Sequence, residues 1–190
     1  TTGEYNVATG YHSLKSNTTG SMNTAYGIGS LYTNTTGNSN IAFGANTLQA
    51  NTSGEDNTAL GYSALNTNTT GSYNNAIGRE ALYNNTTGRF NVANGYNALF
   101  SNTTAHESTA IGYSSLRFNT TGDENTAIGC ESLYNNTTGE YNVAVGRKAL
   151  LGNTTGQKNT ALGRNAGDSN TTGSHNTYVG SSADAGANNY

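Results

Sequence analysis

The feature that most constrains this chain is a spacing that never slips. Asn17, Asn34, Asn51, Asn68, Asn85, Asn102, Asn119, Asn136, Asn153 and Asn170 each open a near-copy of one pattern. Consecutive copies start 17 residues apart (34 − 17 = 17, through 170 − 153 = 17). Thr1 reads as the second letter of a copy that lacks its opening Asn. A fixed period is the mark of a stacked solenoid, in which each unit touches only its neighbours. Loops of a globular domain accept insertions. A stack with like residues above like residues does not, because one added residue would put a whole coil out of register.

With the opening Asn as position 1, the consensus is N-T-T-G-x-x-N-[TV]-A-[ILV]-G-x-x-[AS]-L-x-x. Helix does not fit: Asn, Thr and Gly are weak helix formers, and the fixed apolar letters miss the three-to-four spacing. Positions 7 to 11 alternate as Asn-x-Ala-x-Gly, which predicts a short strand with Asn and Ala on its inner face. Positions 14 and 15 are expected to end a second short extended run. "NTTG" reads as a turn in which Asn and Thr bond their own backbone and Gly supplies φ > 0. A second bend is expected at the position-11 glycine. The predicted fold is therefore all-β: a parallel β-solenoid (β-roll) of eleven 17-residue coils, each rising about 4.8 Å.

The charges support this frame. Of 19 Asp, Glu, Lys and Arg residues, all but Asp184 fall at positions 5, 6, 12, 13 or 16, as Glu4, Arg79, Asp123 and Lys148 illustrate. Those positions are expected to face water. Inward residues then form columns, and the position-7 amides (Asn6, Asn23, Asn40, Asn57 and onward) are expected to hydrogen-bond along theirs. One Ala, one Leu and one or two of Val, Ile or Thr, expected to be buried in each coil, make a thin core. The sequence therefore predicts several chains packed together, as a homotrimer or filament, with Ala and Gly on one face allowing close approach.

"NTAIG" (125–129), "NNAIG" (74–78) and "NVAVG" (142–146), each followed by a small residue three letters on, resemble the "SVAIG" head repeat of YadA-like trimeric autotransporter adhesins. Repetitive tail-fibre-like proteins carry similar Asn/Thr/Gly-rich arrays. The resemblance covers about residues 1–180. It implies a parallel β-roll wound as a tight trimer that binds host or matrix surfaces. The adhesin heads use a shorter repeat, and this chain adds the "NTTG" corner. No binding residue of the family maps onto a position here.

Several function classes find no support. A net charge of −3 offers no basic stripe for nucleic acid. The apolar runs are only a few residues long, so no membrane span is expected. His12, His106 and His175 share no column, and Cys130 has no His or Asp column beside it, so neither a metal set nor a nucleophile is expected. Glu55/Asp56 and Asp123/Glu124 are sequence neighbours and would diverge in a strand. Acid dominates no column, so repeated calcium sites are not expected, and no cofactor is expected. The "NTT" and "NTS" triplets are N-glycosylation acceptors on paper, but glycans on every coil would collide.

Tyrosine is biased toward positions that charge marks as exposed. Tyr62, Tyr96 and Tyr113 lie at position 12, and Tyr32, Tyr83, Phe100 and Tyr134 at position 16. These are the candidate surface-contact residues, suited to sugars, proteins or sister chains. The expected function is a non-enzymatic structural and adhesive segment of an extracellular or cell-surface fibre, or of a virion fibre. Its partners would be further copies of itself and host or matrix glycans or proteins. The alternative is an ice-binding or carbohydrate-binding solenoid with an outward face of position-1 Asn and position-3 Thr. Residues 1–180 are expected to form the repeat domain and 181–190 its end or a junction. The chain is expected to be a window of a longer protein.

Overall fold

The computed structural model describes residues 2–184; the end or junction expected at 181–190 therefore lies largely outside them. Eleven strands of three residues follow at the repeat interval: β1 (Val7–Thr9), β2 (Thr24–Tyr26), β3 (Ile41–Phe43), β4 (Thr58–Leu60), β5 (Asn75–Ile77), β6 (Val92–Asn94), β7 (Thr109–Ile111), β8 (Thr126–Ile128), β9 (Val143–Val145), β10 (Thr160–Leu162) and β11 (Thr177–Val179). They form one parallel sheet in chain order. The register places Ala25 on Ala42, Ala110 on Ala127 and Ala127 on Ala144, so each coil closes one revolution in 17 residues.

The core is two columns of apolar side chains, at positions 9 and 15, a third of small residues (Ala, Ser or Thr) at position 14, and two of amides. Position-9 alanines and position-15 leucines such as Ala59, Leu65, Ala127 and Leu133 are fully buried, and so are Asn34, Asn40, Asn51 and Asn57 of positions 1 and 7. Amides survive there because they are satisfied. In the position-7 column, Asn40 Oδ1 accepts the Asn57 backbone N–H (3.1 Å) and Nδ2–H (3.1 Å), while Asn40 Nδ2 donates to Asn23 Oδ1 (3.1 Å) and to the Gly54 carbonyl (2.8 Å). In the position-1 column, Asn51 Nδ2 donates to Asn34 Oδ1 (2.8 Å) and to its own turn at the Gly54 carbonyl (3.0 Å). Buried polar groups cost little when every donor and acceptor is paired.

Four expectations are corrected. Positions 14 and 15 are not an extended run: the leucines sit at φ of 48 to 51°, so the chain turns there. Positions 6 and 13 also hold non-glycine residues at positive φ, as at Asp56 and Ser63. The position-4 glycine is not where the turn goes left-handed. It is needed for space, because a Cβ on Gly71 would stand 2.5 Å from the Gly88 carbonyl oxygen and 2.8 Å from Asn85 Nδ2. The glycine that conformation demands is at position 11, with φ between 123 and 147°. The position-2 threonines bond the next coil and not their own turn: Thr35 Oγ1 donates to the Thr52 carbonyl (3.0 Å). Finally, the alanine face points into its own coil and offers no close approach to another chain.

At the last coil the pattern inverts. Tyr178 takes the place of Ala at position 9, and Gly167 takes the place of Leu at position 15. A Cβ on Gly167 would fall 2.6 Å from Tyr178 Cδ2. The tyrosine ring thus occupies the space that leucine fills elsewhere and closes that end of the core.

Candidate functional site

Because positions 7 and 9 point inward, positions 8 and 10 must point out. The result is an exposed sheet face carrying the larger aliphatic and aromatic residues: Ile41 and Phe43 are each 48% exposed, Leu60 43% and Leu162 52%. Ile111, Ile128, Val92 and Val143 join them. The sequence reading missed this face. Charge marked only positions 5, 6, 12, 13 and 16, whereas positions 3, 8 and 10 are also outward. The signal was present, since a strand whose small residues are fixed inward must display its variable apolar ones.

Stripes of opposite charge flank the face. Positions 5 and 6, before the strand, carry Glu4, Glu55, Asp56, Glu107, Asp123, Glu124 and Glu140 against Arg89 and Lys158, a balance of 2 − 7 = −5. Positions 12 and 13, after it, carry Arg79, Arg147, Lys148 and Arg164 against Glu80 and Glu131, a balance of 4 − 2 = +2. The acidic stripe is felt at Tyr141, whose phenol pKa is raised, mainly by the charge of Glu124. Burial, with Asp184 nearby, raises that of Tyr178.

The candidate aromatic residues form separate ladders. At position 12, Arg79 lies over Tyr62 (5.4 Å) and Tyr96 (5.9 Å), and Tyr96 stacks on Tyr113 (5.5 Å, 7° between planes). At position 16, Tyr83 stacks on Phe100 (5.3 Å), Arg117 follows over Phe100 (5.9 Å) and Tyr134 (6.0 Å), and Tyr134 meets Phe118 edge-on. Tyr32 belongs to neither run; it sits against His12 and Lys15. Position 16 is half-buried, whereas Tyr62, Tyr96 and Tyr113 are exposed. Rings stacked plane on plane cover one another's faces. What they present outward is edges and hydroxyls, a poor platform for stacking a sugar ring and a good one for packing and hydrogen bonding.

The Asn/Thr face is not built as expected. Position-1 asparagines are interior, so the outward half of that pair is position-3 Thr alone, as at Thr36 and Thr70. The described residues enclose no pocket and bring together no group of three or more His, Cys, Asp or Glu able to hold a metal. Among them no helix is long and apolar enough to cross a membrane. No family model, curated protein or solved structure matches the chain. The adhesin resemblance therefore rests on the quoted motifs; the fold itself is a parallel β-solenoid.

Proposed function

We propose that this chain is a non-enzymatic rod segment of an extracellular, cell-surface or virion fibre, and that its rods associate side by side as a homotrimer or filament. The observation that carries the reading is the continuous outward sheet face of positions 8 and 10. Eleven strands at about 4.8 Å make it about 50 Å long, and three residues at about 3.3 Å make it about 10 Å wide, or about 500 Å². A stable interface needs about 800 Å² per partner. The flanking columns at positions 6 and 12 bring the footprint past that value. They also bring the acidic margin of one rod to the basic margin of the next, which suits cyclic or open head-to-tail lateral packing. The edges of Tyr62, Tyr96 and Tyr113 supply further contact area, to a sister chain or to host or matrix glycans and proteins.

Light scattering and electron microscopy of the purified protein test this. A mass at a multiple of 19.6 kDa and rod-shaped particles are expected. Ile41→Lys with Ile128→Lys, placed on the face and away from the core, is expected to dissociate the assembly while leaving the far-ultraviolet spectrum unchanged. A wild-type protein that stays at 19.6 kDa at tens of micromolar defeats the proposal.

A further inference from the structure

The ladders are regular everywhere except at one coil. In the position-1 column, the amide-to-amide bond is 2.8 to 3.0 Å at every other step, yet Asn119 Nδ2 to Asn102 Oδ1 is 3.3 Å. Residue 105 is the reason. Ala105 stands where the other copies have Gly, and its methyl occupies the space between successive position-1 amides that only glycine leaves open. The turn bond from Asn102 Nδ2 to the Ala105 carbonyl is also the longest of its kind, at 3.2 Å.

The same coil breaks the second column. Ser108 replaces the position-7 Asn. A regular step has three bonds: the next Asn gives its N–H and Nδ2–H to Oδ1, and Nδ2 reaches the following position-4 carbonyl. From Ser108 to Asn125 the Asn125 N–H to Ser108 Oγ bond remains, at 3.2 Å, but Ser108 offers neither an Oδ1 for Asn125 Nδ2 nor an Nδ2 for the Gly122 carbonyl. Asn125 Nδ2 donates to the Gly122 carbonyl instead (3.2 Å) while keeping its regular bond to the Gly139 carbonyl (2.7 Å). Two further buried polar atoms of this coil, Ser114 Oγ and Arg117 Nε, have no partner. The backbone ladder continues unbroken, with Thr109 on Thr126 and Ala110 on Ala127. Outside, Arg117 and Tyr134 stay in contact across the step.

We propose that the step between residues 102–118 and 119–135 is a fracture plane, the interior point at which the rod opens first when heated, pulled or exposed to denaturant. In a solenoid, stability is a sum of unit terms and nearest-neighbour interface terms, so one weak interface sets where the interior parts. Opening there divides the rod after its β7 coil and exposes two unpaired strand edges, β7 and β8, to pairing with another chain. The inference concerns a single chain. It stands or falls apart from lateral assembly, which mass measurement reads separately.

Native-state hydrogen exchange on dilute, full-length protein tests it. The Thr109 and Leu116 amides, which donate to Asn125 and Ser132 across the step, are compared with Thr58 and Leu65, which donate to Asn74 and Ala81. Loss of two amide bonds predicts protection about thirtyfold lower at the former pair. The double variant Ala105→Gly, Ser108→Asn restores both columns and is expected to abolish the difference. Its mirror, Gly54→Ala with Asn57→Ser, is expected to create a second weak step after Thr67. Equal protection at the two pairs in the wild type overturns the proposal, and so does a contrast that survives the repair.

Discussion

The amide ladder is the part of this fold most open to a single-atom test, and Asn57→Ala is the cut to make. In the native chain Asn57 Nδ2 donates to Asn40 Oδ1 (3.1 Å) and the Gly71 carbonyl (2.8 Å). Its Oδ1 accepts the Asn74 N–H (3.0 Å) and Nδ2–H (3.1 Å). Alanine removes all four bonds. Gly71 O retains Asn68 Nδ2, and Asn74 Nδ2 retains the Gly88 carbonyl, so those groups are only partly orphaned. The Asn74 N–H is left buried with no acceptor, at about 1–3 kcal/mol, and the other three lost bonds cost about 1 kcal/mol each. The expected loss is about 5 kcal/mol, against less than about 0.5 kcal/mol for exposed Thr70→Ala. Because coils can open separately, urea unfolding followed by far-ultraviolet circular dichroism should be paired with exchange at the Asn74 amide. Asn57→Asp sharpens the test. Its buried carboxylate faces Asn40 Oδ1, which favours the protonated form and raises the folded-state pKa. Its stability is therefore greatest below the unfolded pKa and is lost as pH rises through the folded one. A loss below about 1 kcal/mol for Asn57→Ala, with the Asn74 amide still protected, would refute the ladder as a source of stability.

Three other outcomes follow from particular residues. Lys158 is exposed at φ 55°, so Lys158→Gly is expected to stabilise by about 0.5–1 kcal/mol, and Lys158→Val to destabilise, in thermal melts. The "NTT" acceptors are closed by folding, since Asn34 Nδ2 is buried and donates to Asn17 Oδ1 (3.0 Å) and the Gly37 carbonyl (3.0 Å). Folded chains secreted through an N-glycosylating compartment should carry unmodified Asn34 by mass spectrometry, and Thr36→Ala, which removes that acceptor without touching the ladder, should raise folded yield. At the closed end, Gly167→Leu clashes with Tyr178 and Tyr178→Ala leaves a void. Each is expected to cost about 2–3 kcal/mol, and the double variant to recover most of it, in a double-mutant cycle.

What the sequence revealed and what it hid divide along a physical line. Residues that must be identical in every coil announce themselves, so the period, the strand at Asn-x-Ala-x-Gly, the inward leucine and the Asn column were legible. Backbone conformation was not. A left-handed leucine such as Leu65 (φ 51°) defies its own propensity, because closing a tight coil and burying the side chain outweigh a local cost of about 1–2 kcal/mol. The same conflict hid the role of the position-4 glycine, whose necessity is a neighbour's carbonyl and amide and not its own φ. The outward sheet face was overlooked because apolar letters were assumed to be interior ones.

The apolar character of position 10, and of Ile41, Val92 and Val143 at a position 8 that is otherwise mostly Thr, has two competing causes, and they can be separated. Short strands favour β-branched and aromatic residues for conformational reasons alone, and an exposed Ile or Val meets that need without any partner. Association, in contrast, requires apolar area. Threonine distinguishes the two, since it is β-branched but polar, and Thr9 already occupies position 10 in β1. Replacing Leu60, Ile111 and Ile128 together by Thr keeps the strand preference and removes exposed aliphatic surface from three coils. If the face is an interface, the melting temperature of the dissociated chain changes little while the association midpoint rises at least tenfold in concentration. If the residues serve only the strand, assembly is unaffected by the triple variant, and the sheet face loses its claim to a partner. Light scattering across a dilution series, alongside a thermal melt at the lowest concentration, reads both quantities on the same samples.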